Sequence, residues 1–182
     1  MNTALIVIDV QQSFEQRPYW SGAGVGTFMA NVQRLIDKAE ASGTPVLQVF
    51  HEEPSGVFAL SSGFVKALAT LRIKPTDVFY KNVHSALFGK NARGQSLEAW
   101  LRANGIEHVV VTGIRTEQCC ETTTRHASDS GFKVTYAIDA TLTFPMVSKS
   151  GRTYSAADIT ERTALVLQDR FADVVSAEAV AF

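Results

Sequence analysis

The stretch from Ala4 to Val10, ALIVIDV, constrains the fold more than any other part of this 182-residue chain. It is a nearly continuous apolar run that only Asp9 interrupts. A strand this apolar must be covered on both faces, which is typical of the centre of a parallel sheet, and the run is far too short to cross a bilayer. The stretch therefore predicts a buried central strand that carries a carboxylate close to its end.

Strands and helices alternate along the rest of the sequence. Further strands are predicted at residues 46–50, 78–80, 109–111 and 134–138, with a short final strand near Val174. Helices are predicted from Phe28 to Ala39, at residues 64–71, from Leu97 to Ala103 behind the N-cap Ser96, and from Ser155 or Asp158 to Arg170. This alternation favours an α/β fold, and we predict a three-layer α/β/α sandwich with a mainly parallel, Rossmann-like sheet.

The composition argues against several classes of partner. The 17 basic and 18 acidic side chains leave a net charge of -1, so no long-range field would gather nucleic acid or an anionic membrane. The first residues show neither a basic region nor a cleavage site, and the two cysteines are neighbours, which rarely meet the geometry of a disulfide. We expect one cytoplasmic domain over residues 1–182, with a small-molecule substrate and with no nucleic acid or membrane as partner.

Both cysteines lie in the stretch from Val109 to Arg125, which has the pattern of a strand, a tight turn and a helix. A thiol in the first turn of such a helix lies near unpaired backbone N–H groups and the positive end of the helix dipole, which favour the thiolate. Cys119 or Cys120 is therefore a candidate nucleophile. The alternative is that both are small side chains that fill a helix–sheet interface.

Four reactive side chains lie at or just beyond predicted strand ends, where α/β sheets bind ligands: Asp9, His51, Lys81 and Cys119. Asp9 could take the thiol proton, because partial desolvation raises the pKa of a carboxylate towards that of a general base. Lys81 would lower the pKa of the thiol from its reference of roughly 8.5. With backbone N–H groups of the 113–118 turn as oxyanion donors, the trio of Asp, Lys and Cys is complete for acyl transfer without a metal or other cofactor.

Three motifs resemble the isochorismatase-like cysteine hydrolases, a family that includes nicotinamidases and carbamoylsarcosine amidases. They are IVIDVQQSF around Asp9, Lys81 ahead of SALFG, and TGIRTEQC, which ends at Cys119. The resemblance extends over almost the whole chain and implies that these three residues form a catalytic triad. It also implies a cis peptide bond before Arg115, an oxyanion hole formed by the backbone N–H groups of Arg115 and Cys119, and a homodimer or homotetramer. Counting along the last motif favours Cys119 over Cys120, which we expect to pack against the sheet.

Two departures from the family pattern bear on the substrate. Nicotinamidases resemble one another in a metal-binding Asp-x-His cluster after the second strand, where this sequence reads HEEPSG from His51. We therefore expect no metal site and a structural or substrate-contact role for His51. Arg115 stands where a small residue is usual, and its guanidinium would either face a substrate carboxylate or pair with Glu117 or Glu121.

Side chains in the loops beside these strand ends are candidate pocket walls. The candidate substrate-binding residues are Phe14, Trp20, His84, Phe88 and Arg115, and Tyr19 belongs to the same group. Each aromatic residue would fit an ordinary core or lid position about as well. The segment Phe144-Pro145-Met146 either closes the pocket or is a plain turn.

From these residues and the resemblance we predict a metal-independent cysteine amidase. It would cleave a C–N bond of a small amide, ureide or carbamoyl compound through a thioester at Cys119. Within the same fold the alternative is a vinyl-ether hydrolase of the isochorismatase type, which needs no nucleophilic thiol. From other classes, the alternatives are a non-catalytic binding protein and a thiol redox sensor that uses Cys119 and Cys120.

Overall fold

The computed structural model describes residues 2–182 and is organised around one six-stranded parallel sheet. The strands are β1 (Thr3–Ile8), β2 (Val46–His51), β3 (Asp77–Lys81), β4 (His108–Ile114), β5 (Lys133–Leu142), β6 (Met146–Val147), β7 (Thr153–Tyr154) and β8 (Asp173–Val175). The large sheet has the order β3-β2-β1-β4-β5-β8 with every pairing parallel, and β6 and β7 form a separate antiparallel hairpin. The predicted α/β fold with a mainly parallel, Rossmann-like sheet is confirmed.

The chain changes direction across the sheet between β1 and β4. The first three strands run outward from β1 to β3, and the chain then returns to lay β4 against the other side of β1. In sheets of this kind, ligands bind in the crevice at the carboxyl ends of the strands where the order reverses. Asp9 follows β1 and Cys119 follows β4, so the strand order alone brings both residues to this crevice.

Two apolar cores lie on opposite faces of the sheet. The helices are α1 (Val25–Ser42), α2 (Leu97–Ala103), α3 (Glu121–Asp129) and α4 (Ala156–Leu167). Alternate residues of β1 enter the two cores, because successive side chains of a strand point to opposite faces: Leu5 and Val7 pack in the core that holds α1, and Ala4, Ile6 and Ile8 pack in the core that holds α2. No helix within residues 2–182 is both long and apolar enough to span a membrane.

The predicted helix at residues 64–71 is wrong. The structure has an irregular segment there, in which Ala67 forms an isolated antiparallel bridge with Gln11 in the chain that follows β1. The backbone N–H of Gln12 donates to the carbonyl of Lys66 (2.9 Å), and the N–H of Leu68 donates to the carbonyl of Val10 (3.1 Å). These long-range backbone bonds replace the bonds that a helix would have made within the segment.

Two other elements are shorter than predicted. The first strand ends at Ile8 because Asp9 adopts a left-handed backbone conformation with φ of 55°. The last helix ends at Leu167, before the predicted end at Arg170, and Asp169 is also left-handed with φ of 58°. Such a conformation interrupts a strand or a right-handed helix at the residue that adopts it.

Gly113 makes a close backbone contact between the two central strands. It lies opposite Ile8 in the β1–β4 pairing and has φ of 138°. A Cβ atom at this position would stand 1.9 Å from the carbonyl oxygen of Ile8 and 2.8 Å from its nitrogen. These are backbone atoms of a central strand, which cannot move aside without breaking the pairing. Glycine therefore allows β4 to continue to Ile114 and carry the next turn into the crevice.

We expect the substitution Gly113→Ala to prevent stable folding. The overlap with Ile8 should lower the free energy of unfolding by more than about 4 kcal/mol, a loss that is exceptional for a single substitution. Chemical denaturation followed by circular dichroism measures the effect.

Gly131→Ala is the matched control. Gly131 also has a positive φ, of 87°, but a Cβ there meets no atom within 4 Å. This variant should lose only about 1–2 kcal/mol, the cost of a left-handed conformation for an alanine. Equal losses in the two variants would contradict the steric explanation.

Candidate active site

Three reactive side chains converge at the carboxyl ends of β1, β3 and β4. The ammonium of Lys81 donates to Oδ2 of Asp9 at 2.8 Å and to Sγ of Cys119 at 3.4 Å. The side chains of Lys81 and Asp9 are fully buried. The structure therefore places the predicted trio in direct contact, with the cation between the carboxylate and the thiol.

Asp9 keeps one carboxylate oxygen free of hydrogen bonds. Its backbone N–H still donates to the carbonyl of Val49 at 2.9 Å, so the residue remains attached to the sheet although its φ is left-handed. Oδ2 accepts from Lys81, whereas Oδ1 is buried and has no hydrogen-bond partner within residues 2–182. Buried polar atoms without partners are rare, and Oδ1 is thus an acceptor available to a proton that arrives from the cavity.

Cys119 lies in a single π-helical turn, Thr116–Cys120, that joins β4 to α3. Such turns are rare and often occur at functional sites. The N–H groups of Gln118 and Cys120 both donate to the carbonyl of Arg115 at 3.2 Å, and the Ile114–Arg115 peptide bond is cis. The hydroxyl of Tyr136, a residue of β5, donates to the carbonyl of Thr116 at 2.8 Å and so holds the first residue of the turn in place.

The thiol of Cys119 is neutral in the resting site. Burial, followed by the negative charge of Asp9, raises the pKa of Cys119 to about 12, and the opposing effect of Lys81 is smaller. Burial lowers the pKa of Lys81, but the interactions of its ammonium with Asp9 and Cys119 outweigh burial, and the pKa of Lys81 is raised overall. Lys81 lowers the pKa of the thiol, as expected from the sequence, but desolvation of the thiolate raises it by more.

Cys120 has a different environment from its neighbour. It is fully buried in the core that holds α2, as the sequence predicted. Burial is also the main reason that the pKa of Cys120 lies well above its ordinary value. Cys119, by contrast, lines a cavity, so it is the thiol that a small molecule can approach.

The cavity has a volume of about 330 Å³, with Asp9 and Cys119 among its lining residues. Aromatic side chains form part of the wall, and polar side chains complete it. The aromatic members are Phe14, Tyr19 and Phe58, and the polar members include Arg17, His51, Glu53, His84 and Gln118. The cavity thus combines apolar surface with a few polar groups, the usual lining of a small-molecule site.

Two of the predicted aromatic pocket residues lie elsewhere. Phe14 and His84 line the cavity. Trp20 instead packs against the ring of Phe144 at 5.4 Å, and Phe88 is 60% exposed and stacks on the ring of His126 at 4.7 Å. Trp20 and Phe88 do not line this cavity, because in the folded chain their rings pack against other residues.

The guanidinium of Arg115 is buried away from the cavity. It lies 3.0 Å from a carboxylate oxygen of Glu117 and stacks over the ring of Tyr19 at 5.0 Å. Of the two predicted acidic partners, Glu121 is occupied by Arg125 and Arg162. The structure thus favours the ion pair with Glu117 over a substrate carboxylate, and Arg115 supports the cavity wall from behind through Tyr19.

Two residues of the site were given no role from the sequence. The side-chain amide of Gln11 clamps the backbone of His51, donating to its carbonyl at 3.0 Å and accepting from its N–H at 2.8 Å. Glu53 forms a contact of 2.9 Å with Nε2 of His51. Both follow strand ends within a few residues, so the rule that singled out Asp9 would have included them if applied to the next residues along the chain.

His51 does not belong to a metal-binding cluster in the structure. Its two ring nitrogens face Lys81 at 3.3 Å and Glu53 at 2.9 Å. Within residues 2–182, no three side chains of His, Cys, Asp or Glu are grouped so that they could hold a metal ion.

The raised pKa of Cys119 predicts an unusual pH dependence of alkylation. For a thiol with a pKa of about 12, the thiolate fraction grows with each step in pH up to that value. The rate at which iodoacetamide modifies Cys119 should therefore still rise about tenfold per pH unit between pH 8 and 10. Intact mass spectrometry after short exposures measures the rate.

The urea-unfolded protein serves as the reference. Its two thiols have ordinary pKa values, so their rates should level off above pH about 9. A native rate that levels off in the same range would show that Cys119 is not desolvated as described.

Comparison with known proteins places the chain in a family. The family model for the isochorismatase domain matches residues 3–179. The uncharacterised isochorismatase family protein YrdC of Bacillus subtilis is 30% identical over 96% of this chain and 92% of its own length. The N-carbamoylsarcosine amidase of Arthrobacter sp. is 30% identical over 71% of this chain and 55% of its own. A crystal structure from Burkholderia xenovorans LB400 that is assigned to the isochorismatases superposes with a TM-score of 0.85 at 33% identity, over 97% of this chain and 84% of that one. The chain belongs to the isochorismatase family of hydrolases.

Proposed function

We propose that this hydrolase is a cysteine amidase, which cleaves a C–N bond of a small amide, ureide or carbamoyl compound. The observation that carries the proposal is the contact of Lys81 with Asp9 and Cys119 at one end of a small cavity. The three side chains supply a base, a cation and a nucleophile, so the cycle requires no metal ion. The N-carbamoylsarcosine amidase among its relatives is consistent with a C–N bond as the target.

In the first half of the cycle the thiol attacks the carbonyl carbon. Because the thiol of Cys119 is neutral at rest, its proton must leave as the S–C bond forms, and the free Oδ1 of Asp9 is the proposed acceptor. Lys81 contacts both Asp9 and Cys119 and stabilises the negative charge on either residue while the proton moves between them. The carbonyl oxygen becomes an oxyanion, and the backbone N–H groups of Arg115 and Cys119 are the proposed donors to it.

In the second half the enzyme returns to its starting state. The tetrahedral intermediate collapses, the C–N bond breaks, and Asp9 gives its proton to the leaving amine or ammonia. A thioester on Cys119 remains. Asp9 then takes a proton from a water molecule that attacks the thioester carbon. The C–S bond breaks, Asp9 returns the proton to Sγ of Cys119, and the product acid leaves.

The alternatives fit the site less well. A vinyl-ether hydrolase of the isochorismatase type needs an acid but no thiol, and it leaves the contact between Lys81 and Cys119 unexplained. A redox sensor that pairs Cys119 with Cys120 would need both thiols accessible, whereas Cys120 is fully buried. The homodimer or homotetramer and the cytoplasmic location stay predictions.

Ammonia release from a panel of small primary amides, ureides and N-carbamoyl compounds tests the proposal. At least one compound should be turned over, and Cys119→Ala should lower the rate by at least about 10³-fold, because the nucleophile is gone. A thioester mass on Cys119, trapped by rapid acid quench, would identify the intermediate.

Cys120→Ala is the matched control, since it removes the neighbouring thiol that does not line the cavity. Its rate should stay within about threefold of the wild type if its packing role is the only one lost. Full turnover by Cys119→Ala, or the same large loss in both variants, would contradict the assignment of Cys119 as the nucleophile.

A further inference from the structure

The ammonium of Lys81 has three N–H groups, and three acceptors surround it. Two are Oδ2 of Asp9 and Sγ of Cys119, which the proposed reaction uses directly. The third is Nδ1 of His51, at 3.3 Å. Since the side chain of Lys81 is fully buried, no position around the ammonium is left to bulk solvent.

The contact with Lys81 assigns the tautomer of His51. An ammonium can only donate, so Nδ1 of His51 must carry a lone pair, and the ring proton belongs on Nε2. Nε2 faces Oε1 of Glu53 at 2.9 Å, which accepts that proton. Glu53 therefore selects the tautomer that presents an acceptor to Lys81, as carboxylates do for histidines elsewhere.

The backbone around His51 leaves its ring little freedom. His51 is paired with Lys81 in the β2–β3 ladder, and the side chain of Gln11 holds its N–H and carbonyl. The ring also packs edge-on against Phe58 at 5.7 Å, and only 14% of the side chain is exposed. The position of Nδ1 is thus set by the sheet and by its neighbours.

Loss of Nδ1 of His51 as an acceptor would change the hydrogen bonds of Lys81. A buried N–H of Lys81 would be left without a partner, which is costly, and Asp9 offers an unpaired acceptor, its Oδ1. If Lys81 turned to that oxygen, it would leave Sγ of Cys119 and block the atom proposed to take the thiol proton. The third acceptor therefore keeps the base free.

We propose that His51 is a positioning residue, held in one tautomer by Glu53, that takes the third N–H of Lys81 and so keeps Oδ1 of Asp9 free for the thiol proton. This role differs from metal binding and from substrate contact. Testing this role by the rate of amide turnover rests on the proposed amidase function, whereas testing it by the alkylation rate of Cys119 does not.

The test compares His51→Leu with His51→Asn. Leucine keeps apolar packing against Phe58 but has no acceptor, and we expect a loss in kcat of at least about tenfold with KM within about threefold of the wild type. The amide oxygen of asparagine can stand where Nδ1 stands, so His51→Asn should recover most of the kcat. A substrate-contact role would change KM instead, and a merely structural role would not be rescued by the smaller asparagine.

Alkylation of Cys119 by iodoacetamide at pH 8 gives a readout that needs no substrate. With Lys81 turned away from Sγ, the thiolate loses its neighbouring cation, and His51→Leu should react at least about threefold more slowly than the wild type. His51→Asn should react at close to the wild-type rate. Thermal unfolding of each variant confirms that the comparison is made on folded protein.

Glu53→Ala tests the tautomer, with Glu52→Ala as its matched control. Both substitutions remove one carboxylate, but only that of Glu53 contacts His51. Glu53→Ala should lower kcat in the wild type and have little effect in the His51→Asn background, because asparagine has no tautomer to select. Glu52→Ala should leave kcat and the alkylation rate unchanged.

The outcomes separate this proposal from the proposed function. If no amide is turned over, but Cys119 is alkylated more slowly in His51→Leu than in the wild type and at close to the wild-type rate in His51→Asn, the amidase assignment fails and the role of His51 stands. If amides are hydrolysed and His51→Asn is as slow as His51→Leu in both readouts, or if only KM changes, the role of His51 is overturned and the amidase assignment stands.

Discussion

The buried ion pair between Lys81 and Asp9 is the interaction on which the site depends. Removing each charge from water carries a penalty of several kcal/mol, which the attraction offsets only when the geometry is good and the remaining hydrogen-bonding groups are satisfied. Here Asp9 directly follows β1 and Lys81 ends β3, and β2 lies between these two strands. The ion pair therefore reaches across the end of β2, and His51, the last residue of β2, completes the set of acceptors around the ammonium.

This arrangement explains why the site can hold a neutral thiol beside a cation. Burial and the charge of Asp9 together oppose the thiolate more strongly than Lys81 favours it, so the proposed mechanism requires a base to take the proton of Cys119. The two oxygens of the Asp9 carboxylate have different environments. Oδ2 anchors Lys81, and Oδ1 is left free for that proton.

The elements that the sequence predicted well are those with local physical causes. Apolar runs mark the central strands, the hydroxyl of Ser96 caps α2 by accepting from the N–H of Ala99, and left-handed Gly43 ends α1. Residues 64–71 failed because their backbone bonds go to the chain after β1, and no local pattern records a partner so far away. The stacking of Phe88 on His126, and the choice between the two alternatives for Arg115, could not be predicted for the same reason, since an aromatic ring or a guanidinium packs against whichever neighbours the fold brings to it.

By itself the sequence determined the parallel α/β architecture and the convergence of Asp9, Lys81 and Cys119, because the hydrophobic period selects the strands and parallel strands end at one edge of the sheet. Only the tertiary structure decided the protonation of the thiol, the ion pair of Arg115 and the contact of His51 with Lys81. These depend on desolvation and on distances of a few ångströms between residues far apart in the chain. Neither quantity can be calculated from the sequence without the folded structure.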